Sequence, residues 1–171
     1  MNPILSAGLL IGVLCGVWTF VVGFTGWYKD PVLLNLFFFV IVIEIAGLVW
    51  GLRKTAAQGR NYGAQILAGT MMAIVAGVII VGSSLLFTTL VFPTYFTDLE
   101  QMYRTTLLQQ GKSETDITAA IQANAGGMTP MAQAMNGFIG TLVTGIVASA
   151  VIAIFVRAKH PTPSSARTTM G

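Results

Sequence analysis

Glu44 is the one carboxylate inside a long apolar run, since residues 31–52 contain no other Asp, Glu, Lys or Arg. Insertion of a charge near the centre of a membrane helix costs about 2.5–3.5 kcal/mol on translocon scales, so such a residue needs a compensating role. No Lys or Arg lies in any apolar stretch to pair with it, and Glu44 is therefore expected to be carried protonated. Counting to the same depth on the other apolar stretches reaches Gly12 and Cys15, Thr70, and Ser149 or Gly145. Thr70 and Ser149 are the expected hydrogen-bond partners. Two roles follow: a proton or cation relay, or a helix-to-helix hydrogen bond worth about 1 kcal/mol.

Other chemistry is short of residues. One cysteine and one histidine exclude an intrachain disulfide and a zinc site built from several such ligands. Cys15 lies mid-helix and reads as a small packing residue. Gly111-Lys112-Ser113 ends like a phosphate-binding loop, but Thr106 stands where the first glycine is required and no strand precedes it. It is expected to be a helix break. There is no His-Glu-x-x-His and no Gly-x-Ser-x-Gly, and His160 falls in the tail, so no base stands beside a nucleophile at membrane depth. Ser83 and Ser84 are expected to bond their own backbone. A non-enzyme without cofactor or metal is the expectation. The net charge of +3 comes from two short basic clusters beside apolar segments, which argues against nucleic acid.

The elements around Glu44 follow from where charge is missing. Only 9% of the 171 residues are charged, and none of these occurs in 1–28, 61–97 or 117–156. Uncharged stretches of that length imply the bilayer. The expected fold is all-α: an integral membrane four-helix bundle with short extracytoplasmic amphipathic helices between spans three and four. Spans are expected at about 3–24, 31–52, 64–86 and 137–156, in a single membrane domain over 1–160. The first span lacks a basic leader and a small-residue cleavage site and is expected to stay in the mature chain. Trp27 and Tyr28 would sit at the headgroup layer, and Pro31 would open the second helix. The third span, uncharged as far as Phe96, exceeds what hydrocarbon requires and should project before ending or kinking at Pro93.

Between spans three and four, residues 97–136 change to Gln, Thr, Met and Ala. Leu99, Met102, Tyr103 and Leu107 recur at helical spacing, then Ile117, Ala120 and Ile121 after a break at Gly111. Ser113 offers an N-cap to the second piece, Gly126-Gly127 ends it, and Thr129-Pro130 starts the last helix. Residues 161–171 read as a disordered cytoplasmic tail. Arg53, Lys54 and Arg60 make one basic segment and Arg157, Lys159 and Arg167 another, whereas the excursion has four acids against two bases over 97–116. With four spans both basic segments fall on one side, so both termini are expected to be cytoplasmic.

Small residues recur every fourth position at Gly8, Gly12 and Gly16, at Gly69, Ala73 and Gly77, and at Thr141, Gly145, Ser149 and Ala153. Such rows let helices approach closely in lipid. The facing helix is expected in the same chain, with another copy, and hence a homo-oligomer, as the alternative.

A Gly-Leu-Arg end to the second span, the sequence Arg60-Asn61-Tyr62-Gly63-Ala64-Gln65 before the third, a Met- and Gln-rich excursion and the run Asn136-Gly137-Phe138-Ile139-Gly140 in the fourth resemble the bacterial domain-of-unknown-function family numbered 4199. The likeness covers most of residues 1–160. It implies a small four-span protein of the bacterial inner membrane and carries over no catalytic or binding residue. The leading expectation is a non-enzymatic accessory or scaffold subunit, whose stripe Leu99, Met102, Tyr103 and Leu107 contacts another membrane or envelope protein. Packing of that stripe onto its own chain is the plainer reading. The alternative is an oligomeric small transporter or channel that uses Glu44 as its relay.

Overall fold

Asn2 opens the chain's first helix: its side-chain oxygen accepts from the Ile4 N–H at 3.0 Å, and Pro3 takes the first helical position, where a missing N–H costs nothing. The structure is a computed structural model describing residues 2–156. The expected tail, 161–171, and the basic residues Arg157, Lys159 and Arg167 lie outside the described residues. Six α-helices follow in order: α1 Pro3–Phe24, α2 Phe39–Ala56, α3 Tyr62–Leu86, α4 Tyr95–Gln109, α5 Glu114–Asn124 and α6 Pro130–Val156. No strand occurs among the described residues.

Four segments are long and apolar enough to cross a membrane: Pro3–Phe24, Leu33–Ala56, Tyr62–Val91 and Pro130–Val156. Their outer faces carry large apolar side chains, among them Val13, Val42, Leu67 and Val147, each more than half exposed. Apolar exposure on every side of a bundle is what lipid, and not water, tolerates. Inside, small residues set the spacing. A Cβ at Gly12 would lie 2.8 Å from Ile79 Cβ, one at Gly8 2.6 Å from Val75 Cβ and one at Gly16 2.7 Å from Ser83 Oγ, so α1 and α3 run parallel in close contact. Gly51 meets Ala7, and Gly47 meets Ile11, which makes α2 antiparallel to α1. Gly69 meets Ser149, Gly145 meets Ala73 and Gly77 meets Phe138, which makes α6 antiparallel to α3. All six glycines singled out as packing residues thus sit against helices of their own chain. α2 and α3 each touch the other three long helices, and the most extensive contacts are those of α3 with α6 and α1.

The N-terminal end of α1, the 57–61 loop and the C-terminal end of α6 therefore share one end of the bundle, called here the loop end. The α4–α5 hairpin occupies the other. Ala7, Ile11, Leu48, Leu52 and Met72 form a sealed apolar core toward the loop end. At the hairpin end, Val22, Tyr28, Phe87 and Tyr95 make a second cluster, joined by Phe92 and Leu99.

Two elements depart from expectation. The second span opens not as an α-helix at Pro31 but as a 3-10 helix over Leu33–Phe38. Side chains claim the carbonyls there: Asn35 Nδ2 donates to Pro31 O and Val32 O, and Trp18 Nε1 donates to Leu36 O at 2.9 Å. The ladder of bonds four residues apart becomes regular only from Phe39. The third span passes into a π turn over Phe87–Val91, closed by Phe92 N–H donating to Phe87 O at 2.8 Å, and stops before Pro93.

The excursion is docked and well capped. Ser113 Oγ accepts from the Asp116 N–H at 3.2 Å, Gly111 takes the left-handed φ of 76°, and Thr129 Oγ1 caps α6 by accepting from Ala132 N–H at 3.2 Å. Tyr28, expected at the headgroup layer, is 3% exposed because the aromatic cluster encloses it.

Candidate functional site

The inward stripe of α2 is Glu44, Leu48, Gly51, Leu52 and Thr55, spaced to put one face of the helix against the bundle. Glu44 heads this stripe and is the twelfth residue of the 24-residue span Leu33–Ala56, hence at its middle. Its side chain is 4% exposed, and Oε1 receives no hydrogen bond from any described residue. A buried polar oxygen without a partner is uncommon and calls for a specific reason.

The partners expected from depth counting are placed otherwise. Thr70 donates its hydroxyl to Ile66 O at 2.9 Å, within its own helix. Ser149 is fully buried over Gly69, and its Oγ also has no partner. It lies one turn beyond the residue that does face Glu44: a Cβ at Gly145 would stand 3.4 Å from Glu44 Oε1. Cys15, reached by the same counting, does share Glu44's surroundings, with its thiol directed at Val40 O at 3.7 Å.

Glu44 stands at the foot of a cavity of about 480 Å³. The walls are Cys15, Gly16 and Thr19 of α1, Leu34 to Phe38 of the 3-10 segment without Leu36, Val40 and Ile41 of α2, Ile80, Ser83 and Ser84 of α3, and Gly137, Gly140, Thr141 and Thr144 of α6. Tyr95 of α4 with Gln133 and the exposed Asn136 of α6 ring its hairpin end. Of the glycines on its wall, Gly16 and Gly137 pack against Ser83 and Ile80 of α3, whereas a Cβ at Gly140 would meet no atom within 4 Å. Toward the loop end it is closed by Ile11, Leu48, Leu52 and Met72, all at 0% exposure. Beyond that plug lies a fully buried polar pair: Thr55 Oγ1 donates to Gln65 Oε1 at 2.6 Å, and Gln65 Nε2 donates to Leu52 O at 3.2 Å.

The hairpin end is held by charge. Tyr28 OH donates to Asp98 Oδ2 at 2.8 Å, and Lys29 Nζ lies 3.0 Å from the same oxygen. Burial acts to raise the Asp98 pKa, but the bonds from Tyr28, Lys29 and Thr94 together with the Lys29 charge outweigh it and hold the carboxyl below the usual carboxylate range. Burial and the Asp98 bond raise Tyr28. Burial also raises the Tyr95 hydroxyl, against the opposing bond from Gln133 Nε2 at 3.5 Å. Of the stripe expected to meet a partner protein, Leu99 packs on the aromatic cluster, Met102 and Leu107 are half-buried, and Tyr103 is 45% exposed.

Residues 6–158 match the family described as Protein of unknown function (DUF4199). The chain belongs to the DUF4199 family. No curated protein and no solved structure matches it. The DUF4199 region takes in the hairpin and all four apolar helices except the first three residues of α1, so every residue of the Glu44 cavity lies inside it.

Sequence reasoning alone does not reach Asn35, Gln133, Asn136, Gln65 or Thr55. Asn35 carries a signal, as the only polar side chain of 32–43. Gln65 carries one too, since it leads Gly69, Met72 and Ala76 on the buried face of α3.

Proposed function

We propose that this chain is a non-enzymatic carrier of the bacterial cytoplasmic membrane, with both termini on the cytoplasmic side and Glu44 as its proton- or cation-binding group. One observation carries the reading: a carboxyl oxygen without a partner among the described residues, at mid-span, faces a cavity that an apolar plug closes toward the loop end. The apolar plug below it makes a carrier a better fit than an open pore, which would need a continuous polar path. Movement of α2 or α6 across the plug would transfer the group's access to the Thr55–Gln65 side. On this reading the hairpin is extracytoplasmic, as its excess of acid suits. The carrier moves ahead of the accessory subunit because much of the contact stripe is spent within the chain, Leu99 above all.

The test is flux in proteoliposomes. An imposed proton or cation gradient should decay faster with the chain than without it, and Glu44→Gln should return the decay to the protein-free rate while the protein stays monodisperse. Equal rates for the two proteins would overturn the reading.

A further inference from the structure

We infer that the Glu44 cleft binds a protonated organic amine with an apolar body, taken up in exchange for the proton of Glu44. The inference rests on the carrier reading for its physiological purpose and on the cleft alone for its chemistry. Among the described residues, Glu44 is the only acid lining the cavity, and no Lys, Arg or His lines it. An anion would meet no counter-charge there and would bear its whole desolvation cost, whereas a monocation beside the carboxylate makes a neutral pair. No group of three or more His, Cys, Asp or Glu able to hold a metal ion occurs among the described residues, which disfavours a divalent ion. A bare alkali ion would exchange its hydration for walls such as Leu34, Phe37, Val40 and Ile80. An amine brings its own apolar surface to those walls. Its ammonium has three donors, one for the vacant Oε1 and others for hydroxyls such as Thr141 and Thr144.

Binding balances as Glu44–COOH plus R–NH3+ giving the Glu44 carboxylate paired with R–NH3+, plus one released proton. The polar groups that share the cavity with Glu44 on the packed elements are the Cys15 thiol and Thr19 hydroxyl of α1, the Ser83 and Ser84 hydroxyls of α3 and the Thr141 and Thr144 hydroxyls of α6, none of them charged. Tyr95 is the other titratable group on the cavity wall, at its hairpin end. Affinity should therefore rise about tenfold per pH unit for as long as Glu44 is protonated in the free protein and the amine is charged.

The full chain in lipid nanodiscs, titrated calorimetrically with 2-phenylethylammonium in two buffers of different ionisation enthalpy, gives both affinity and proton count. The expected result is saturable binding with one proton released, at least tenfold tighter than 2-phenylethanol or phenylacetate, and at least tenfold weaker in Glu44→Gln. Gly140→Trp provides a second variant: an added Cβ there meets no atom within 4 Å, so the chain should fold, and the indole should occupy the cleft and remove amine binding. Equal binding of amine and alcohol, an amine affinity unchanged in both variants, or no amine binding at all would overturn the inference. Glu44-dependent proton flux without amine binding would sink the amine and leave the carrier. Glu44-dependent amine binding without flux would sustain the amine and sink the carrier.

Discussion

Asp98 is the acceptor on which the hairpin's attachment to the bundle converges. One oxygen, Oδ2, takes the Tyr28 hydroxyl, the Lys29 ammonium and the Thr94 hydroxyl, at 2.8, 3.0 and 3.3 Å. Its pKa in the folded chain lies below the ordinary carboxylate value, so its contribution is present above that value and lost as pH falls through the lowered one. Lys29, raised chiefly by its bond to Asp98, behaves in the opposite sense: its contribution is present below the ordinary lysine value and lost as pH rises through the raised one. The attachment should hold across neutral pH and weaken only as pH falls below the ordinary aspartate value of about 3.9 and through the lowered one, or rises above the ordinary lysine value of about 10.4 and through the raised one. Hydrogen exchange of the α4 amides, measured against pH, checks this. Asp98→Asn should speed α4 exchange several-fold at neutral pH and flatten the acid limb, while the four long helices keep their protection.

At the scale of elements, glycine rows decide which helices touch. At Gly12 a Cβ would meet Ile79 Cβ at 2.8 Å and the Ala76 carbonyl at 3.0 Å, one of them backbone that cannot move aside. Gly12→Leu should cost about 1–3 kcal/mol or more through overpacking. Gly82→Leu, on the same scale of added bulk but with no atom within 4 Å, should leave stability unchanged or slightly raised. Thermal unfolding of the two detergent-solubilised variants compares them directly, and a loss confined to oligomer size in Gly12→Leu would contradict the intrachain contact. The four-residue spacing of these rows is legible in the sequence. Which helix each row meets is not, because spacing defines a face and leaves its neighbour open.

At the scale of the molecule, four alternating crossings put Arg53, Lys54 and Arg60 near one end and Asp98 and Glu100 at the other. Gln58→Cys or Gln110→Cys, each in a Cys15→Ala background, should separate the two faces: a membrane-impermeant maleimide added to intact spheroplasts should label the Gln110→Cys variant and spare Gln58→Cys. Labelling of Gln58→Cys alone would invert the proposed orientation.

Much of this arrangement is legible in the order of residues. Charge-free runs mark the four apolar helices, Gly111 and Ser113 mark the break and cap of the hairpin, and Glu44 stands out by being alone. These are local or one-dimensional properties: hydrocarbon requires length and apolarity, and caps need only a few neighbouring residues. The 3-10 start of the second span is not legible, because the bonds that hold it come partly from Trp18, on another helix. Nor is the pairing of Glu44. Depth counting assigns residues to a level but not to an azimuth, and the rotation of α6 brings Gly145 instead of Ser149 to the carboxyl. The cleft itself, walled by α1, α2, α3 and α6, arises only when those helices pack together, since a void belongs to no single stretch of chain.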